Sequence, residues 1–419
     1  MDQLKNQSSI INLCQLLTCE NSSTLCLRLL QSFSADEWKA LYEAALKHGL
    51  NLLLYHAVSP SKEQKPVPDE LWRLLRHDYL SATGRNLKIL NSLGKILHAF
   101  QNKEIPVIGL KGIYLVENVY HSVGLRTFCD LDLMVPKNKL NTTIDCLEDL
   151  GFNLTTYFNL KDINRDIKHV PPMVHPNGLV VEIHWTILEE DEPFTIDTEG
   201  LWTRAIPAQI AGVDILALGY EDLILHLCVH MSYQHHLQAG LRNLYDIYAV
   251  IKKHPDHIDW DLLVNIAKSW GAERVAWISF KLLEDLLGLK LPTYIFDKLL
   301  LEQVPPEILR IAKAQCVSED QRSIKLTPDL IDLANKRGLI AKVKLIQSRI
   351  FIPKPALARV YQIPANSPKL YVYYGKRLID LIKFYSRSAW RMLTQDPTTL
   401  NAKQDLQTNV GLVRWMSKR

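Results

Sequence analysis

The sequence predicts an α+β protein, with a small mixed sheet and helical regions on both sides of it. Three observations carry that prediction. Apolar residues recur at helical spacing through the first hundred residues, the period switches to alternation between about 105 and 200, and helical spacing returns after Gly219. At 419 residues the chain has room for two or three packed units, because domains usually hold about 100–200 residues. The expected division is a helical region at 1–103, an α+β core at 104–212, a helical region at 213–300 that closes a cleft, and a mostly helical basic region at 301–419.

The elements follow in order. Ser34 with Glu37 three residues later is a capping box, and the segment ADEWKALYEAALKHGL after it places Trp38, Leu41, Ala45 and Leu46 along one face before Gly49 offers a stop. A proline-bearing connection at 62–68 leads to a long amphipathic run opened by Asp69, with Leu71, Leu74, Leu75, Tyr79, Leu87, Leu90, Leu93 and Leu97 at helical spacing. IPVIGL from Ile105, CDLDLMV from Cys129, FNLTTYF from Phe152 and LVVEIHW from Leu179 read as strands, with helices at about 113–120 and 137–150 between them. EDLILHLCVHMSYQ, LRNLYDIYAVIKKH, DWDLLVNIAKSWG and RVAWISFKLLEDLLGL then read as helices, apolar on one side. Beyond about residue 300 prolines punctuate a weaker pattern, until a basic amphipathic helix from Leu370 to Leu393 that carries Lys376, Arg377, Lys383, Arg387 and Arg391.

Bulk properties narrow the function classes. Hydrophobic residues at 47% and charged residues at 22% are the balance of a globular protein. A net charge of +4 tolerates an anionic ligand without announcing a nucleic-acid binder. The seven cysteines form no C-x-x-C pair, which suggests reduced, buried thiols. MDQLKNQSSI has neither the basic start nor the apolar core of a signal peptide, and no stretch approaches the roughly 18 apolar residues of a membrane span. The cytoplasm is the expected compartment.

The chemistry concentrates in LRTFCDLDLMV. Side chains at i and i+2 of a strand share a face, so Asp130 and Asp132 point one way while Cys129, Leu131, Leu133 and Val135 point into a core. Two carboxylates at that spacing stand roughly 6–7 Å apart and repel by about 2–3 kcal/mol at an effective dielectric near 20, and by less than about 1 kcal/mol in water. In a cleft a divalent cation is the natural remedy; on an open edge strand none is needed. Asp259 and Asp261 show the same spacing in HIDWDLL, where an N-cap and a first-turn charge explain them better.

Other residues surround that pair. GLKGIYLVENVYH presents a short strand, then Gly109-Leu110-Lys111-Gly112, then a helix. Glycine admits close backbone approach, helix N-terminal amides bind phosphate oxygens, and Lys111 adds a point charge. Arg126 offers a planar fork to a phosphate, or is a surface side chain. In LVVEIHW, Glu182 and His184 share one face. Glu182 is either a third metal carboxylate or a glutamate on an exposed strand, and His184 either orients a ligand or packs. His226 and His230 lie four apart on a helix and fit a cleft wall or a satisfied core, with structural zinc the least favoured reading because no glutamate stands between them. Arg242 and Asp246, at i and i+4, read as a helix salt bridge.

Strand, glycine-led helix, strand with D-x-D and a later strand with a third acid resembles the core of the DNA polymerase beta-type nucleotidyltransferases. GLKG, LRTFCDLDLMV, VEIHW and HLCVH together look like the largely uncharacterised bacterial nucleotidyltransferase family proteins, with DWDLL and LYVYYGKRL extending the likeness over about residues 30–390. The chain departs from the superfamily's usual Gly-Ser at the phosphate loop, where it has Lys111-Gly112. The resemblance implies a nucleotidyltransferase core at 104–212, with Asp130, Asp132 and Glu182 as metal-binding acids and the loop with Gly109, Lys111, Gly112 and Arg126 as the nucleotide's site. It further implies transfer of a nucleoside monophosphate from an NTP, ATP being the first choice, to an acceptor hydroxyl with release of pyrophosphate. Mg2+ is the expected cofactor, with Mn2+ the alternative. The acceptor stays open among a small molecule, a peptide, a protein and an RNA end. A catalytically silent nucleotide-binding or interaction module is the competing expectation. Contact of the 369–391 helix with a membrane surface or RNA is a further one, weaker than a solvated helix face.

Overall fold

The structure, a computed structural model, describes residues 2–19, 24–59, 67–155, 168–189, 192–300, 302–318, 354–361, 367–393 and 411–418. The chain gathers into two units: Met1–Asn153 with Arg165–Glu319 and Met416–Arg419, and Leu154–Asn164 with Asp320–Trp415. The architecture is α+β, with one seven-stranded mixed sheet and helices around it.

The strands are β1 (Ile108–Gly109), β2 (Asp130–Met134), β3 (Asn153–Leu154), β4 (Met173–Val174), β5 (Val180–His184), β6 (Ile206–Ile210) and β7 (Val213–Ala217). Their order across the sheet is β3-β4-β5-β2-β1-β7-β6. β2 pairs with β5 and β1 with β7 in parallel, while β1–β2, β4–β5 and β6–β7 are antiparallel. Leu131, Leu133, Val181 and Ile183 are all fully buried.

Several expectations change in detail. The strand expected in FNLTTYF is only the two residues of β3, and 156–158 lie outside the described residues. Cys129 precedes β2 and is exposed instead of pointing into the core. The segment expected to be helical from 213 opens with β7, and its first helix begins at Tyr220. The β6–β7 hairpin turns at Ala211 (φ 52°) and Gly212 (φ 75°), a two-residue loop with both centres in the left-handed region. Such a turn matches the twist of the flanking strands, and its alternation in IPAQIAGVDILA went unread in the sequence.

The helices hold the sheet from both sides in sequence. Ala35–Lys47 begins at the Ser34–Glu37 capping box and ends before Gly49 at φ 67°, as expected; it buries Trp38, Leu41, Ala44 and Ala45, while Leu46 is exposed. The long helix Asp69–Asn102 buries Leu71, Leu75, Leu90, Leu93 and Leu97 but leaves Leu74 and Leu87 exposed, which narrows the expected stripe. It packs against β7 and the helix Leu140–Asp149. Asn86, buried in its middle, donates to the carbonyls of Val123 (2.5 Å) and Arg126 (2.7 Å), and so pins the loop that leads into β2. Gly124 is required in that loop, because a Cβ there would sit 2.6 Å from the Tyr79 ring.

On the C-terminal side of the sheet in sequence, the helix Tyr220–Val229 is buried from Glu221 to Val229. A helix apolar nearly all round belongs in an interior, and this one packs among Leu241–Lys253, Trp260–Trp270 and Glu273–Leu287. Its buried Asp222 accepts both forks of Arg204, at 2.8 and 2.9 Å. Asp259 caps Trp260–Trp270 by accepting from the amides of Asp261 and Leu262, so this second D-x-D is structural. In the second unit the expected C-terminal helix spans Leu370–Leu393, and Leu370 packs with Leu357 against Tyr361, Tyr373 and Tyr374. Among the described residues no helix is long and apolar enough to cross a membrane.

Candidate metal and nucleotide site

Parallel pairing of β2 with β5 builds the floor of the site. The register sets Asp132 opposite Glu182, Asp130 opposite Val180 and Met134 opposite His184. Alternation then puts Asp130, Asp132, Glu182 and His184 on one face. That face opens into a depression of about 470 Å3. Lys111 enters from the turn after β1, Lys168, His169 and Glu192 line one side, and His230, Tyr233, Gln234, His235 and His236 line another. The latter come from the π-turn His230–Gln234, which continues the buried helix Tyr220–Val229, and the residues just after it.

The centre of the floor is tightly connected. His184 Nε2 lies 2.9 Å from Asp132 Oδ1 and 3.6 Å from Glu182 Oε2, and Lys111 Nζ lies 3.8 Å from Asp132 Oδ2. Asp132 is 6% exposed and His184 1%. Burial alone would raise the Asp132 carboxyl, but the Lys111 ammonium and the His184 hydrogen bond outweigh it and hold Asp132 well below the usual carboxylate range. Glu182 is also lowered, chiefly by His184. Asp130 moves the other way, raised by burial and then by the charges of Asp132 and Glu182. One carboxylate is thus secured and its neighbour is disfavoured as an anion, an arrangement typical of functional clusters. Asp132, Glu182 and His184 each offer a ligand atom within 4.8 Å of the other two, so these residues fit a divalent cation.

Of the residues singled out in the sequence, Asp130, Asp132, Glu182, Lys111, His184 and His230 line the depression; Gly109, Gly112, Arg126 and His226 do not. Gly109 packs beneath it, where a Cβ would meet Ile210 at 2.8 Å. Gly112 allows the helix start to close over Arg126, whose Nη1 would be 2.8 Å from a Cβ at that position. Lys111 itself takes φ 39°, a left-handed conformation that costs a non-glycine residue free energy and aims its ammonium at Asp132. Arg126 directs its fork away from the depression to Asp246, with Nε and Nη2 each 2.8 Å from a carboxylate oxygen, and Tyr120 donates to the same carboxylate at 2.7 Å. Asp246 therefore pairs with Arg126, not with Arg242 four residues earlier; Arg242 donates to Thr127.

Sequence reasoning missed Lys168, His169, Glu192, Tyr233, Gln234, His235 and His236. A signal for the last four existed in HMSYQHH, a polar, aromatic and imidazole-rich stretch directly after an apolar helix. Lys168 and His169 follow a region without clear periodicity and carried no such signal.

His226 sits behind this wall, 1% exposed, with neither ring nitrogen hydrogen-bonded among the described residues. Burial, followed by the Lys111 charge, pushes the imidazoles of both His226 and His230 well below their ordinary value. The consequence for stability has a definite sign. As pH falls through the unfolded value of about 6.5, the unfolded chain binds protons that these folded imidazoles refuse, so stability decreases toward acid by about 1.4 kcal/mol per pH unit for each such histidine. Urea midpoints of the metal-free protein between about pH 5 and 8 should show this slope, and His226→Gln should flatten it by about one proton. An unchanged slope in the variant would mean that His226 is protonated in the fold.

Residues 34–288 match a family model described as an uncharacterised nucleotidyltransferase. The matched span includes the whole floor, Lys111 and the His230–His236 wall, and it ends before the LYVYYGKRL segment. No curated protein and no solved structure matches the chain.

Proposed function

The chain belongs to this family of uncharacterised nucleotidyltransferases, and from that premise we propose that it transfers a nucleoside monophosphate from an NTP to an acceptor hydroxyl. The observation that carries the reading is the convergence of Asp130, Asp132 and Glu182, from two strands in parallel register, on one depression that also holds Lys111. A structural explanation of three acids would not require them to share a cavity with the two lysines Lys111 and Lys168.

In this reading the acceptor oxygen forms a bond to the α-phosphorus, the bond from that phosphorus to the pyrophosphate oxygen breaks, and the hydroxyl proton passes to a carboxylate of the cluster. Asp130, Asp132 and Glu182 would hold Mg2+, which when bound supplies charge stabilisation to the entering and leaving oxygens. Lys111 and Lys168 face the space a triphosphate would fill, as point charges on its oxygens. Tyr233 and Gln234, on another wall, offer an aromatic face and an amide to the base or the acceptor.

A second reading, a catalytically silent nucleotide-binding module, is favoured by one observation: Lys111 and His184 already compensate Asp132 without a metal. The two differ in outcome. Incubation with each α-labelled NTP, Mg2+ and a cell extract should place label on one acceptor component and release pyrophosphate with at least one NTP. Mg2+-dependent NTP binding with no label transferred and no pyrophosphate supports the silent module. No binding of any NTP would remove both readings.

A further inference from the structure

Asp132, Glu182 and His184 are a different donor set from three carboxylates. Two oxygens and one ring nitrogen lie within 4.8 Å of one another, and Asp130 stands outside that trio. The sheet explains why: Asp132 and Glu182 are register partners, and His184 follows Glu182 by two residues on the same face of β5. His184 presents Nε2 to both acids, at 2.9 and 3.6 Å. Its side chain is 2% exposed, so it has no room to turn away from the acids without opening the core. Its Nδ1 is buried and has no hydrogen-bond partner among the described residues, so Nε2 is the nitrogen that makes the ring's polar contacts.

Ligand chemistry gives this composition a consequence. Mg2+ is a hard ion bound through oxygen, whereas imidazole nitrogen is a ligand of first-row transition ions. We infer that His184 Nε2 is a direct ligand of the ion held by Asp132 and Glu182, and that this mixed oxygen–nitrogen centre selects a first-row transition ion over Mg2+. The inference rests on reading the cluster as a metal centre, and it differs from the expected ligand set in having an imidazole in the place of Asp130. Asp130, at the exposed start of β2, is then free to face the acceptor.

Mn2+ alone, added to the full-length protein, is the probe. Electron spin-echo spectra of bound Mn2+ should show nitrogen modulation from one imidazole in the native protein, absent in His184→Gln and retained in Asp130→Asn. Titrations should show Mn2+ bound more tightly than Mg2+, with His184→Gln weakening Mn2+ by at least about tenfold and Mg2+ much less. Bound Mn2+ without nitrogen modulation, equal weakening of both ions, or no Mn2+ binding overturns the inference; His184 would then serve only to position Asp132 by its hydrogen bond. Where His184→Gln fails to fold, His169→Gln, His230→Gln and His235→Gln, variants of other imidazoles lining the depression, should each keep the modulation; its loss in one of them instead overturns the inference. Nucleotidyl transfer assayed separately keeps the two readings apart. Nitrogen-coupled Mn2+ in a protein that transfers nothing leaves the ligand assignment standing, and transfer without nitrogen coupling leaves the reaction standing.

Discussion

The double substitution Asp130→Asn with Asp132→Asn is expected to reduce pyrophosphate release by about a thousandfold or more, to the background of the assay. Both side chains line the depression: Asp132 belongs to the group that would hold a cation, and Asp130 stands beside it on the same face of β2. A bound metal contributes several kcal/mol of charge stabilisation, and each 1.4 kcal/mol is a factor of about ten in rate. The single variants should separate in stability although both lose activity. Asp130→Asn removes a carboxylate that is disfavoured as an anion by partial desolvation and then by Asp132 and Glu182, so in the metal-free protein its melting temperature should equal or exceed that of the native protein. Asp132→Asn removes the buried partner of both Lys111 and His184, so it should melt lower. Pyrophosphate release at the native rate from the folded double variant would end the catalytic assignment.

The second large effect concerns folding. Arg126→Met is expected to destabilise the protein by about 3–5 kcal/mol, the usual cost of leaving one member of a buried ion pair without its partner. Asp246 is 1% exposed and accepts from Arg126 and Tyr120, so the variant strands an anion in the core. Arg126→Met combined with Asp246→Leu should recover much of the loss, because well-packed apolar residues often replace a buried pair at little cost. Urea denaturation of the native, single and double variants measures the cycle. A phosphate-binding arginine would behave differently, raising the KM for NTP while leaving the urea midpoint in place. That outcome would return Arg126 to the nucleotide's site.

Several features of the site were readable along the chain. D-x-D in β2 and E-x-H in β5 owe their shared face to the two-residue period of a strand, which is local geometry. The glycine-led turn after β1 and the N-cap role of Asp259 are local in the same sense. The pairing of Arg126 with Asp246 was not readable, since the partners lie 120 residues apart and Asp246 also has a candidate partner, Arg242, only four residues away in sequence. The β6–β7 hairpin was missed because its alternation runs directly into an apolar helix, and Cys129 was misplaced because β2 starts one residue later than the pattern suggested.

Taken alone, the sequence determined which residue types alternate, where most of the helical segments fall, and that Asp130 with Asp132, and Glu182 with His184, share a face of their own strand. Each of these follows from steric periods of the backbone, which act over a few residues. Only the tertiary structure decided that β2 and β5 are parallel neighbours with Asp132 opposite Glu182, that His184 joins them, and that the segment around His230–His236 walls the same depression. Strand order, register and burial are set by how distant apolar faces pack together, and that packing also determines whether a carboxylate meets water, a lysine or a cation.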